Sequence, residues 1–324
     1  MVEKKATRVG YAEGLIKLGE EDPNVVVIDA DTACSTKSSM FRDRFPERFI
    51  NVGVAEQDLI GTAAGLALCG KNVFATAYSA FVSNRAMDQI RNTVCYSNLN
   101  VKIGASHSGI ITGADGATHQ STEEIATMRV LPNMKVVIPC DAIEAKKATI
   151  QAGKMKGPIY IRLGREAVSV ISHEDTPFIF GKANILKDGE DVAIIACGFM
   201  VHQVLSASEK LAEKGIYPKI INMHTVKPID DEIIKDAAQK MGAIVTCEEH
   251  QLNGGLGSGV AEIVVKTTPI PIEMVGIRDK FGESGCPKDL LELFNLTPDE
   301  IVNATERVLR RKVKSDKRSK IQIK

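Results

Sequence analysis

Short apolar runs alternate with amphipathic stretches through the first half of the chain, and this alternation restricts the fold more than any other feature. Runs at Val25 to Asp29, Val73 to Tyr78, Val101 to Ala105, Val136 to Pro139 and Ile159 to Leu163 are interleaved with stretches at Leu59 to Leu68, Arg85 to Tyr96 and Ala142 to Ala152. The pattern predicts a parallel sheet covered by helices. The runs VVVI and KVVIP are almost wholly apolar, which suits strands buried on both faces rather than on one.

The pattern lapses between Ala167 and Gly181, where a polar, Pro-containing stretch reads as a linker. The expected organisation is therefore two three-layer α/β domains. A parallel-sheet domain spans residues 1–170, and a smaller mixed-sheet domain spans 182–310. In the second, Lys182 to Leu186 and Val192 to Ala196 flank the turn KDGED, a hairpin signal. Helix Val201 to Lys214, strand Lys219 to Asn222, helix Ile229 to Lys240, strand Ala243 to Glu248 and helix Gly257 to Lys266 follow. A basic run from Arg310 has no apolar periodicity and predicts a solvated, flexible tail over residues 311–324.

Basic and acidic residues number 41 each, so no global field draws the protein to nucleic acid or to an anionic membrane. The chain has no apolar run of ~18 residues, and its amino end lacks the apolar core of a signal peptide. A cytoplasmic protein is expected. The seven cysteines are scattered singly with no CxxC pair, which favours reduced thiols over zinc or redox exchange.

Several positions combine chemistry with a suggestive place. Glu56 opens the apolar, small-residue stretch AEQDLIGTAAGLAL. A carboxylate there either complements a helix dipole or, poorly solvated, shares a proton with a bound group. The Gly-rich segment GASHSGIITGADGATHQSTEE carries His107, Asp115 and His119 just after a strand end, where open α/β sheets place ligands. The alternative is turn chemistry with helix capping by Ser121 and Glu124. Arg165 and Ser35 follow other strands, and with Arg8 they suit a phosphate, because guanidinium forks match phosphate oxygens. Taken singly, each of the three is also an ordinary surface residue. Tyr78 and Phe81 offer either a flat wall for a ring or plain core packing. The stretch NGGLGSG does not give GxGxxG in register after a first strand, which argues against a dinucleotide.

Together GVAEQ, YSAFVSNRAMDQIRN, SHSGIITGADGATHQSTEE, TVKPIDDEIIKDAA and EEHQLNGGLGSGVAE resemble, in order and spacing, the pyrimidine-binding and carboxy-terminal domains of transketolases, from about Ala6 to Arg310. The resemblance implies thiamine diphosphate as cofactor. Glu56 corresponds to the glutamate that hydrogen-bonds N1′ of the aminopyrimidine and, through the 4′-amino group, promotes loss of the thiazolium C2 proton. Tyr78 and Phe81 correspond to the aromatic pocket, and Asp31 to an aspartate near the cofactor. His119, at the reacting end, and His107, toward the phosphate end, are implied as catalytic and sugar-binding. Asp115 would hold the hydroxyl beside the carbonyl, and Arg8, Ser35 and Arg165 would clamp the phosphate.

The family's GDG motif, which holds the diphosphate and Mg²⁺, does not occur here. The resemblance thus implies that the Mg²⁺ ligands come from a separate amino-terminal transketolase subunit. Two copies of each chain would assemble as an α2β2 heterotetramer. The implied reaction is transfer of a two-carbon ketol unit from a ketose phosphate to an aldose phosphate, as in pentose phosphate metabolism. The β subunit of a 2-oxo acid dehydrogenase, deoxyxylulose-phosphate synthase and a noncatalytic partner subunit are the alternatives.

Overall fold

The computed structural model describes residues 3–319, and their side chains as far as residue 312. Seven strands form the first sheet in the order Thr225–Lys227, Lys135–Val137, Ile159–Arg162, Val101–Ser106, Asn72–Tyr78, Val25–Asp29, Phe49–Asn51. All neighbours are parallel except Thr225–Lys227, which runs antiparallel to Lys135–Val137 at the edge.

The VVVI run explains the three layers. Val25 and Val27 point to one core, shared with Tyr11, Leu15, Ala145 and Ala148 of the helices Thr7–Glu21 and Ala142–Lys154. Val26 and Ile28 point to the other, with Leu59, Ile60 and Ala63 of the helix Glu56–Leu68. Each such Val or Ile contributes about 1.5–3 kcal/mol relative to an exposed side chain, so an apolar residue is favoured at every position of the strand. The helices Thr7–Glu21 and Ala142–Lys154 touch backbone to backbone: a methyl on Gly10 would lie 1.9 Å from the Ala142 carbonyl oxygen.

The second sheet is ordered Ile272–Ile277, Ile244–Gln251, Val192–Ala196, Pro218–Asn222, Asn184–Lys187, the last strand antiparallel. The antiparallel edge is as expected, but the hairpin is not formed. Asn184–Lys187 pairs with Pro218–Asn222, because Val192–Ala196 is already flanked on both sides by parallel strands. The Asp-Gly turn instead crosses the start of Pro218–Asn222, where Glu190 and Asp191 donate their amides to the Tyr217 carbonyl at 3.0 and 3.3 Å.

The stretch expected as a linker is partly ordered into structure: Ala167–Ser169 pairs with Lys4–Ala6, and Phe178 and Phe180 pack against the first core. One core continues from the first sheet through Met223 and Val226 to Ala193, Ile195 and Ile244 of the second. The last helix, Pro298–Ser319, runs on through the basic stretch expected as a tail; residues 320–324 of that stretch lie outside the described residues. Among the described residues no helix is long and apolar enough to cross a membrane.

Candidate active site

Strand register lines up the carboxyl edge of the first sheet. Asp29 stands opposite Thr76, and Tyr78 opposite Ser106. Just beyond these ends the backbone of Asp31 and His107 turns through positive φ, 63° and 59°, a strained conformation for non-glycine residues that clusters at functional sites.

Asp29 is buried and shapes the turn after its strand. Its carboxylate accepts from the Thr32 amide at 2.5 Å, the Ser38 hydroxyl at 2.8 Å and the Thr36 hydroxyl at 3.2 Å. Burial raises its pKa against these donors. The turn presents Ser35, whose carbonyl accepts from Arg8 Nη1 at 2.6 Å. The backbone of Ser35, not its hydroxyl, makes this contact. Arg165 donates Nη1 to the Thr112 carbonyl at 2.7 Å. The Gly164 amide donates to the Thr7 hydroxyl at 2.8 Å, which brings the segments of Arg8 and Arg165 together; burial, and then the charge of Arg165, lower the pKa of Arg8.

His107 is buried against Tyr78, ring centroids 4.1 Å apart. Its Nε2 lies 3.4 Å from Arg8 Nη1 and its Nδ1 lies 3.0 Å from the Ser106 hydroxyl. A guanidinium only donates, so Nε2 is the acceptor and Nδ1 carries the proton. Burial first, then Arg8, Arg165 and His119, lower the His107 pKa to about 3. The ring is therefore neutral at physiological pH. Because the folded value lies below the unfolded one of ~6.5, the stability this group contributes is complete above ~6.5 and is lost as pH falls toward 3. In a nitrogen-detected titration, His107 is expected to stay in one neutral tautomer from pH ~8 to ~5; a midpoint near 6.5 would contradict the geometry.

His119 stands edge-on to Phe81 at 4.9 Å and to Tyr78 at 6.1 Å, its Nδ1 2.9 Å from the Thr118 hydroxyl. Arg85 stacks on Phe81, its guanidinium 4.0 Å from the ring centroid. Arg85 also reaches Glu56, at 3.2 Å from Oε2 and 3.4 Å from Oε1. Glu56 is the first residue of its helix and only 3% exposed. A concavity lined by Ala55, Glu56, Gln57, Asp58 and Arg85 opens beside it. One unbroken line thus runs Glu56, Arg85, Phe81, His119, Tyr78, His107, Arg8, Ser35.

Three expected residues stay off this line: Arg165, which is held by the Thr112 carbonyl, Asp31 and Asp115. Asp31 is exposed and accepts from Asn51 Nδ2 at 2.8 Å. Asp115 is exposed at the end of the segment Ile110–Asp115, and the structure brings it into hydrogen-bond contact with neither histidine. Its loop is nonetheless fixed: Gln120 Nε2 donates to the carbonyls of Gly113 at 3.0 Å and Glu283 at 2.8 Å.

The capping alternative for Ser121 and Glu124 does not hold. The helix Glu124–Val130 has no side-chain cap, and Glu124 turns inward to Arg162 Nε at 2.5 Å, since an unpaired buried guanidinium costs more than an uncapped helix end. The Gly-rich NGGLGSG turn is capped by the chain's own Glu248, which accepts the amides of Leu256 at 2.7 Å and Gly257 at 2.8 Å. The sequence signal for Arg85 is its spacing, four residues beyond Phe81 on the helix Ser79–Arg85.

A buried carboxylate joined through Arg85 to an aromatic wall suits a flat, nitrogen-bearing ring such as an aminopyrimidine, whose ring nitrogen can share a proton with it. Among the described residues no group of three or more His, Cys, Asp or Glu is gathered as around a metal ion.

Comparison with known proteins gives two family matches: the transketolase pyrimidine-binding domain over residues 3–170 and the transketolase carboxy-terminal domain over residues 181–301. A putative transketolase C-terminal section of Methanocaldococcus jannaschii is 47% identical over 92% of this chain and 94% of its own length. A 6-deoxy-6-sulfo-D-fructose transketolase subunit of a Clostridium species is 42% identical over 96% of this chain and 97% of its own. Among solved structures, one described as a split gene transketolase, inactive beta4 tetramer, superposes with a TM-score of 0.89 at 46% identity, covering 95% of this chain and 99% of that one.

Proposed function

The chain belongs to the transketolase family as a carboxy-terminal subunit of the split type, and from that premise we propose that it binds the aminopyrimidine of thiamine diphosphate and a phosphosugar, while a separate amino-terminal subunit holds the diphosphate and Mg²⁺. The reaction is transfer of a two-carbon ketol unit from a ketose phosphate to an aldose phosphate, in the cytoplasm. The observation that carries this reading is the unbroken line from Glu56 to Arg8, which joins a buried carboxyl group, an aromatic wall and a guanidinium.

When bound, thiamine diphosphate supplies the nucleophilic carbon and the electron sink that such a transfer requires. Glu56 holds a proton at the N1′ ring nitrogen, and Tyr78 and Phe81 wall the ring and exclude water. His119 holds or moves a proton at the reacting end of the sugar. Neutral His107, its Nε2 accepting from Arg8, lies toward the phosphate end of the sugar, and Arg8, Ser35 and Arg165 receive the phosphate oxygens. Asp115 reads a hydroxyl from its exposed loop, and Asp31 lies near the cofactor. The relative named for a sulfosugar fits the same corner, since a sulfonate presents oxygens to guanidinium forks as a phosphate does.

The partner requirement is supported by the relative described as an inactive beta4 tetramer. The helix Glu56–Leu68 leaves open space over Gly61 and Gly65 and exposes Leu68, a surface that suits a second copy of this chain within an α2β2 assembly.

The test is reconstitution. The full chain, its amino-terminal partner, thiamine diphosphate and Mg²⁺ are expected to transfer a ketol unit between phosphosugars, and the chain alone to do nothing. A folded mixture inert toward all common phosphosugar pairs and the sulfosugar would reject the assignment. In the active mixture, Arg8→Ala or Arg165→Ala is expected to raise KM for the phosphorylated substrate ~10- to 100-fold, the value of charged hydrogen bonds of 1.5–3 kcal/mol, with little effect on an unphosphorylated aldose. Equal loss for both substrates would move the phosphate elsewhere.

A further inference from the structure

The second sheet carries a crevice of its own. From its central strand Val192–Ala196 the chain goes to Pro218–Asn222 on one side and later to Ile244–Gln251 on the other. Where strand order reverses in this way, open α/β sheets bind a ligand at the carboxyl ends. Here the crevice is filled by the first domain, so that Ile111, Arg162 and Gly164 line it together with Gly198 and Glu249.

Glu249 makes the decisive contact. It is 2% exposed, and its Oε1 accepts the Ile111 amide at 2.8 Å. A methyl on Gly109 would lie 2.2 Å from its carboxyl carbon, so the loop and the carboxylate are in direct contact. Arg162 secures Glu249 from the first sheet, donating Nη2 to its carbonyl at 2.9 Å with Nη1 3.6 Å from its carboxylate.

Two short steps lead from this anchor to the site. Thr112 follows Ile111, and its hydroxyl donates to the His107 carbonyl at 2.8 Å. Its own carbonyl accepts from Arg165 at 2.7 Å. The amide held by Glu249 is thus adjacent to the residue that ties His107 to Arg165.

We propose that Glu249 is a positioning residue of the second domain: by holding the Ile111 amide it sets where His107 and Arg165 stand, and so tunes phosphosugar binding from a domain whose residue never touches the sugar. The role in sugar binding rests on the transketolase reading above, whereas the anchoring of the loop does not.

The test uses the full chain with Glu249→Ala, Glu249→Gln and, as a control for general loosening, Val308→Ala in the second core. Hydrogen exchange is read over residues 107–115, and steady-state kinetics are read in the assembled enzyme. Glu249→Ala is expected to speed exchange of the loop ~10-fold, as loss of a buried hydrogen bond implies. Glu249→Gln keeps an acceptor and is expected to stay within ~3-fold of the parent, and Val308→Ala to leave the loop unchanged. In the assembled enzyme, KM for the phosphosugar should rise ~10-fold in Glu249→Ala with kcat changed much less. Unchanged loop exchange in Glu249→Ala, or an equal rise in Val308→Ala, overturns the anchoring. Raised exchange with an unaltered KM overturns the sugar-binding role. A parent mixture without any ketol transfer would reject the function itself and leave the anchoring to be decided by exchange alone.

Discussion

Glu56→Gln is expected to lower kcat of the reconstituted transferase by ~10²- to 10⁴-fold, the usual range for losing a positioned general acid or base. The substitution preserves volume and the ability to hydrogen-bond a ring nitrogen, but an amide does not exchange a proton with it. Arg85, half exposed beside Glu56, can turn to solvent, so the fold should tolerate the change and the thermal midpoint should move little. The measurement is kcat at saturating cofactor beside a melting curve. A fall below ~3-fold would mean that Glu56 only complements its helix dipole, an effect of ~0.3–1 kcal/mol.

The second large effect concerns folding. Arg162 lies between Glu124 and Glu249, and all three are buried. The two carboxylates raise the Arg162 pKa against the opposing effect of burial. Arg162→Met leaves both carboxylates without their cation, and breaking a buried pair from one side costs about 3–5 kcal/mol. For a domain of this size each kcal/mol shifts Tm by ~2–4 °C, so a fall of roughly 6–20 °C is expected. A double variant, Arg162→Met with Glu124→Gln, should recover part of that loss, because one stranded charge is gone. If the single variant melted within ~2 °C of the parent, water would have to reach the carboxylates and the cluster would not be a buried one.

The strands were the most legible part of the sequence, because a run such as VVVI admits few environments other than a sheet covered on both faces. Partner choice was less legible. The KDGED turn has hairpin chemistry, yet the pairing was decided by Pro218–Asn222, distant in sequence, since both edges of Val192–Ala196 were taken. Within the site, residues at or shortly after strand ends, such as Tyr78, His107 and Arg165, could be placed because parallel register carries those ends to one edge. Ser35 contacts Arg8 through its backbone carbonyl, which no side-chain pattern in the sequence reveals. Arg85 reaches Glu56 and Glu249 reaches Ile111 across elements, so only the packing identifies those two partners.

The antiparallel edge strand Thr225–Lys227 closes the first sheet although it lies far beyond the first domain in sequence. A growing polypeptide therefore leaves the edge Lys135–Val137 bare until residue 227 has emerged from the ribosome, and an unpaired edge is where chains stick to one another. Synthesis of this subunit has a vulnerable interval built into its strand order, and a chaperone or a fast translation rate through residues 138–227 would shorten the exposure.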